Sequence, residues 1–453
     1  MTECTHQTLL FSSLNRRQLQ ADFEGGDLTS DGGLPLLREV DRKIALIDAI
    51  NRAVKDPRDP DLTLHDQRTL LAQRILALAG GYEDLNDHQT LRDDTLLKVL
   101  TERKLKKDQK EEDPLGSPPT LCRVENRISR KDLVRVARAF IEQFIGSFDR
   151  PPERLVLDFD ATDDPVHGQQ EKRFFHGYYD SYCFLPLYVF CGEQLLVAYL
   201  RPSNIDASLH SRAILKLLVQ RLREAWPKVR IVLRADSGFC RWKLMRWCDR
   251  HQVDYLLGLA RNSVLETLGE PWMQQAREGF KATQEKQRIF GEVSYAAETW
   301  DRPRRVIAKA EVTREGDNPR FVVTSLAGDP QKLYDEVYCQ RGEAENRIKE
   351  QQLGLFADRT SCHAFLANQF RVMLSAAAYV LMETLRRIGL KGTALAHAQV
   401  GTIRLKLLKI GGLVVRSVRR VVVHLAGGYP WRTDLETALH QLREWRCPVT
   451  TGP

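Results

Sequence analysis

The chain has 453 residues, of which 43% are hydrophobic and 28% charged, with a formal net charge of +8. That is the composition of a globular protein too long for one ordinary core, so two to four structural units are expected. Nine cysteines, scattered from Cys4 to Cys447 without a CxxC pair, exclude a disulfide framework and a zinc ribbon; Cys240 and Cys248 come nearest to a zinc pattern and have the wrong spacing.

No apolar run has the length expected of a bilayer span, and the opening MTECTHQTLLFSSLNRRQLQ carries no apolar h-region. The expected location is therefore the cytoplasm, at the nucleoid. A pI of about 9.0 favours a polyanionic partner, because Lys and Arg displace the counterions condensed on phosphates.

Residues 1–150 read as a helical region. TSDGGLPLLREVDRKIALIDAI offers Thr29, Ser30 or Asp31 as an N-cap ahead of apolar residues at helical spacing. LTLHDQRTLLAQRILALAGGYEDLND repeats the pattern and stops at Gly80-Gly81. The charged, proline-ended KLKKDQKEEDPLGSPP (residues 104–119) reads as an exposed linker, and TLCRVENRISRKDLVRVARAFIEQFI as a further helical segment.

Residues 151–262 change texture. LVLDFDAT, CFLPLYVFCG and QLLVAYLR read as three strands, followed by a helix over 206–225, the strand VRIVLRADSG, the helix RWKLMRWCDRHQ and the strand DYLLGLAR. The order β-β-β-α-β-α-β fits a mixed sheet with helices on its faces. Residues 263–330 read as a β-rich insertion packed beside that core. Residues 331–385 resume it with one long helix through YCQRGEAENRIKEQQL and a second, FLANQFRVMLSAAAYVLMETLRRI, apolar nearly all round and so buried. Residues 386–453 form a basic C-terminal region in which Arg404, Lys406, Lys409, Arg416, Arg419 and Arg420 either line a DNA groove or make a plain basic surface.

Three acidic residues occupy chemically useful places: Asp160 late in the first strand, Asp236 at the end of the fourth, and Glu345 on the helix after the insertion. Ligands gather outside the carboxyl ends of strands in such sheets, and carboxylates converging there suit Mg²⁺, which takes a few carboxylates plus substrate phosphates. Two such ions roughly 4 Å apart would activate a water or a 3′-hydroxyl and stabilise the leaving oxygen. Asp158 shares a strand face with Asp160, and pattern alone does not choose between them. Asp163 and Asp164 read as turn residues. At about 100° per residue, Tyr338, Arg341, Glu345, Lys349 and Gln352 fall within an arc of roughly 80° on one unbroken helix, whereas Glu343 points away. That face is either a solvated ion-pair ladder or a metal ligand flanked by phosphate clamps.

Tyr338-x2-Arg341-x3-Glu345 resembles the Y-x2-R-x3-E part of the YREK signature of bacterial insertion-sequence DDE transposases, with Gln352 where the final lysine would fall. LDFDAT and LRADSGF look like the strands bearing their first two aspartates. AGGYEDLNDHQTLRDD, PTLCRVENR, FFHGYYDSYCFLPLYVF and QRGEAENRIKE resemble insertion-sequence family 1380, a distant relative of the piggyBac elements. The resemblance implies an α/β fold with an RNase H-like catalytic core interrupted before the glutamate. It selects Asp160 over Asp158 and makes Asp160, Asp236 and Glu345 the catalytic and metal-binding set, with two Mg²⁺ ions (Mn²⁺ as substitute). It further implies DNA contacts from Tyr338, Arg341 and Lys349, and a base-stacking role for Trp300. The implied reaction is cleavage at terminal inverted repeats and strand transfer into target DNA, by a homodimer holding two ends. Its rivals are a nuclease of the same core that cuts without joining, and a domesticated copy that only binds DNA.

Overall fold

The computed structural model describes residues 8–106 and 109–446; Cys4, Cys447 and two residues of the expected linker lie outside them. The chain divides into two compact units. One comprises residues 1–47, 56–124 and 384–445, the other residues 48–55, 125–383 and 446–453.

The first unit joins the two ends of the chain. Strand Gly412–Ser417 pairs antiparallel with Arg420–Leu425 on one side and with Leu28–Thr29 on the other. Helix Gln67–Gly80 is buried along nearly its whole length, begins where the Asp66 carboxylate accepts from the Thr69 amide, and ends at Gly81 in the left-handed conformation (φ 98°). Helix Pro35–Ile44 starts without a side-chain cap, against expectation. Asp31 is buried instead, accepting from the Tyr82 hydroxyl (2.5 Å) and paired with Lys409 (2.7 Å). Burial of this carboxylate gives it a structural role in place of capping.

The second unit carries one large mixed sheet. Its eight main strands in chain order are β1 (Arg154–Ala161), β2 (Leu187–Cys191), β3 (Gln194–Tyr199), β4 (Arg230–Ala235), β5 (Asp254–Leu259), β6 (Gln287–Tyr295), β7 (Arg304–Thr313) and β8 (Arg320–Thr324), and the two-residue strand Gly316–Asp317 pairs with β7 at the edge. Across the sheet they lie β6-β7-β8-β5-β4-β1-β2-β3. The strand pairs β1–β2 and β2–β3 are antiparallel, while β1–β4 and β4–β5 are parallel. Parallel neighbours need crossovers, supplied by α2 (Ser211–Ala225) and α3 (Trp242–Arg250); α1 (Arg130–Gly146) precedes β1. Leu157 and Leu233 from the sheet meet Leu218, Leu222 and Met245 from these helices in one core, which is why the central strands read as apolar runs. A capping box between Ser129 and Asp132 restarts the chain at α1, dividing what reads in sequence as a single helical segment from residue 120.

Two expectations are corrected. The residues after β5 are not packed beside the sheet; after α4 (Ser263–Thr283), strands β6 to β8 extend it, with β8 antiparallel to β5. Hydrogen-bonding a free sheet edge satisfies backbone groups that lateral packing leaves open. The long helix after Pro330 is also not continuous. Leu333–Tyr338 is π-helical, residues 339–340 make a turn, α5 spans Arg341–Lys349, and Glu350–Gly354 is π-helical again. Each wide turn shifts the angular phase, so the shared face is set by these irregularities as well as by residue spacing.

Helix α6 (Phe365–Thr384) follows. The helical stretch Phe365–Gly389 does have the length and apolar content to cross a bilayer, but 89% of its most apolar window is buried within the protein. It is a core helix, as its all-round apolar pattern implies.

Candidate active site

Asp158 and Arg234 are direct partners in the parallel register of β1 and β4. Both are nearly inaccessible, and the guanidinium grips both carboxylate oxygens, Nη2 to Oδ2 at 2.7 Å. Its Nη1 also donates to the carbonyl of Val337, next to Tyr338. Asp158 is thus held as an internal ion pair. One strand period later, side chains return to the same face as Asp160 and, just past β4, Asp236. Here the sheet offers no cation.

The cation comes from α5. Arg341 Nη2 lies 2.5 Å from Glu345 Oε1, and Nη1 lies 3.5 Å from Asp160 Oδ2. Burial pushes the Asp160 carboxyl up to about 7, Arg341 opposes this, and the charges of Asp236 and Glu345 raise it further. Arg341 is itself held above its ordinary value: burial works against its charge, but Asp160 and Glu345 outweigh it. Asp236 is fixed by a short turn, accepting from the Gly238 amide at 2.9 Å. Burial raises the Tyr338 hydroxyl, with Asp236 adding to the shift. That hydroxyl sits so close to β5 that a Cβ on Gly258 would stand 2.5 Å from it and 2.9 Å from the Ser237 amide nitrogen. Glycine at position 258 is what lets Tyr338 approach.

Gln352 reaches the same strand end, donating to the carbonyl of Asp163 at 2.9 Å. Lys349 ends α5 with its side chain exposed, and Glu343 is exposed as well. Asp164 is buried, accepts from the Thr360 hydroxyl at 2.9 Å, and is pushed well above the carboxylate range by burial. It is a buried, hydrogen-bonded interior group where the sequence suggests a turn residue. His167 is exposed, and His176 packs on Tyr179 at 4.9 Å.

The oxygen-only donors Asp160, Asp236 and Glu345 fit a hard divalent cation in chemistry. Among the described residues, no three His, Cys, Asp or Glu side chains are gathered closely enough to hold an ion as they stand. The Arg341 guanidinium holds the intervening place.

Other expected DNA contacts lie elsewhere. Trp300 packs edge-on against Tyr295 and near the Arg304 guanidinium, which bonds the Tyr255 hydroxyl and Asp249. That is the amino-terminal end of β5, and β5 runs parallel to β4 and β1, so the carboxylates leave the sheet at its other end. The structure therefore does not bring Trp300 to them; β6, antiparallel to β7, delivers it to that end, where β7 begins. Arg404 donates to the carbonyls of Ala79 and Leu78, closing helix Gln67–Gly80 in place of lining a groove. Lys406 covers the Trp431 ring at 3.8 Å, and Arg416 is shared among Asp27, Glu111 and Glu112. Arg419 and Arg420 are exposed at the turn of the last hairpin.

A family model described as transposase DDE domain group 1 matches residues 11–447. The chain belongs to that family. No curated protein matches it. Among solved structures it is similar to a chain of the piggyBac transposase synaptic complex with hairpin DNA, at 9% identity, over 78% of this chain and 74% of that one, with a TM-score of 0.41. A likeness of that size does not decide the fold.

For this DDE-family chain, sequence reasoning missed Arg234, Gly258 and the reach of Gln352. One signal was present: LDFD and LRAD place Asp158 and Arg234 each two residues before an aspartate, on strands that proved to be parallel neighbours.

Two measurements follow from this geometry. The folded protein binds a proton on Asp160 more tightly than the unfolded chain does, so stability is lost as pH rises from about 4 through 7. In EDTA, Asp160→Asn should melt above wild type at pH 8, with the gap closing near pH 5; equal melting temperatures at pH 8 would contradict the assignment. Gly258→Ala should cost about 1–3 kcal/mol in thermal or urea unfolding, because neither Tyr338 nor the Ser237 backbone can yield freely.

Proposed function

We propose that the protein is a Mg²⁺-dependent transposase that cuts DNA at the terminal inverted repeats of a mobile element and joins the freed 3′-hydroxyl to target DNA. The observation that carries this reading is the meeting of Asp160, Glu345 and Asp236 around Arg341 at the carboxyl edge of the sheet. The strand order β3-β2-β1-β4-β5, antiparallel for the first three and parallel for the rest, supports an RNase H-like core.

Asp160, Asp236 and Glu345 would hold the metal ions, Mg²⁺ or Mn²⁺. When bound, a pair of divalent ions supplies the Lewis acidity that activates the attacking oxygen and steadies the leaving one. The chain's own residues do the rest. Arg234 fixes the spacing of the two strands that deliver the aspartates. Tyr338, held against Gly258, sets where α5 enters the site. Arg341 balances the carboxylates in the resting protein and would be available to a DNA phosphate if the carboxylates held metal, with Lys349 exposed about two turns further along the helix. Arg419 and Arg420 are the proposed DNA contacts of the first unit. Holding two ends together makes a homodimer the expected working form.

Asp160→Asn, Asp236→Asn and Glu345→Gln should each abolish cleavage and strand transfer of a labelled element end while sparing binding in a gel shift. Glu343→Gln should stay within a few-fold of wild type. Mg²⁺ or Mn²⁺ should support both steps, Ca²⁺ binding only, and excess EDTA neither. Cleavage without any joined product would favour the nuclease, and binding without cleavage the domesticated copy.

Arg341→Ala strips the resting site of its counter-charge. In EDTA above pH 7 its melting temperature should fall below wild type, and added Mn²⁺ should raise it by more than in wild type. An unchanged response to Mn²⁺ would mean that Arg341 does not occupy the metal's place.

A further inference from the structure

Between Asp160 and β2 the chain makes a small antiparallel sheet, in which Ser181–Phe184 pairs with Phe174–His176 on one side and with Asp164–Pro165 on the other. This hairpin gathers rings in the open. Six aromatic side chains are exposed among the described residues, and four of them, Phe174, Phe175, Tyr178 and Tyr182, lie within nine positions here, with Tyr178 85% accessible at the turn. Exposed rings so concentrated mark a binding surface more often than an accident of folding.

The rings are also organised. Phe175 and Tyr182 are cross-strand partners 5.6 Å apart, edge to face, and the Arg173 guanidinium lies 4.6 Å from the Tyr182 ring. Tyr178 stands edge-on to Tyr179 at 4.9 Å. The hairpin is tied to the carboxylates through the backbone: Asp164–Pro165, four residues past Asp160, pairs with Cys183–Phe184, and the neighbouring Asp163 carbonyl accepts from Gln352 at 2.9 Å, just beyond the helix that carries Glu345. The hairpin therefore borders the carboxylate site that Trp300 does not reach.

We propose that this hairpin is a stacking platform for unpaired nucleobases beside the scissile phosphate, with Tyr178, Phe175 and Tyr182 as its faces. The proposal rests on the transposase reading of the same site. Bases are favoured over the DNA backbone as the group recognised, because acidic Asp180 sits in the exposed turn and opposes phosphate there, whereas a ring face accepts any base. Arg173, held against Tyr182, adds a cation to the stacking surface without building a phosphate cradle.

The test uses the full chain in EDTA, so that nothing is cut, and fluorescence anisotropy with two probes: a blunt duplex of about twenty base pairs, and the same duplex carrying a single-stranded oligo-dT tail. Wild type should bind the tailed duplex about tenfold more tightly than the blunt one, and the Phe175→Ala/Tyr178→Ala double variant should lose that preference with blunt-duplex affinity unchanged. Tyr178→Phe should keep it, since the ring and not the hydroxyl stacks. A double variant that retains the full preference, or that loses both affinities equally, overturns the platform. Equal wild-type binding of both probes overturns the platform and leaves the transposase reading standing, whereas binding of neither removes both. A wild-type dimer that the double variant dissolves, seen by sedimentation, would overturn it in favour of an interface between copies.

Discussion

The Arg234 guanidinium is the contact on which the site depends. It satisfies the buried Asp158 carboxylate across the β1–β4 register and ties the carbonyl of Val337 to the same face. One side chain thereby joins the strand leading to Asp160, the strand leading to Asp236, and the π-helical turn ending at Tyr338. Removing either partner of such a pair leaves an uncompensated buried charge, a loss of about 3–5 kcal/mol. The fold tolerates that risk where the geometry of three elements must be fixed at once.

A strand period beyond this pair the electrostatics reverse. Asp158 has an arginine opposite it, while Asp160 and Asp236 face each other without one, so the charge must come from α5. Arg341 supplies it from a helix whose phase is set by wide turns before and after. The result is a group of carboxylates whose mutual repulsion the Arg341 guanidinium relieves. Most of the cations once grouped as a basic C-terminal surface have the opposite fate. Arg404, Lys409 and Arg416 are committed to a helix end, a buried aspartate and an acidic cluster, and Lys406 to an aromatic ring. A net charge of +8 says little about where free charge stands.

The same contrast applies to aromatics. Trp300 and Tyr178 are both near charged neighbours in sequence, but Trp300 lies by the amino-terminal end of β5, whereas Tyr178 belongs to the separate hairpin sheet that follows Asp160. Strand direction separates them: β7 runs the same way as β5 and β6 runs against it, so the chain reaches Trp300, between β6 and β7, at the amino-terminal end of β5, whereas the hairpin is anchored near Asp160 by the pairing of Asp164–Pro165 with Cys183–Phe184.

By itself the sequence determined the order of strands and helices through the core, since apolar runs, alternation and turn residues are local properties of the chain. It also marked Asp160, Asp236 and Glu345, because a carboxylate at the end of an apolar strand or among helix formers is visible one element at a time. The position of Gly81 and the all-round apolarity of Phe365–Thr384 were legible for the same reason. Tertiary structure alone decided that β6 to β8 extend the sheet, that Arg234 claims Asp158 and leaves Asp160 to the site, and that Tyr338 requires Gly258. It decided, too, which cations are spent internally. These outcomes depend on register, on strand direction and on the angular offset of π-turns, and each of those is fixed by residues far apart in the chain meeting in space.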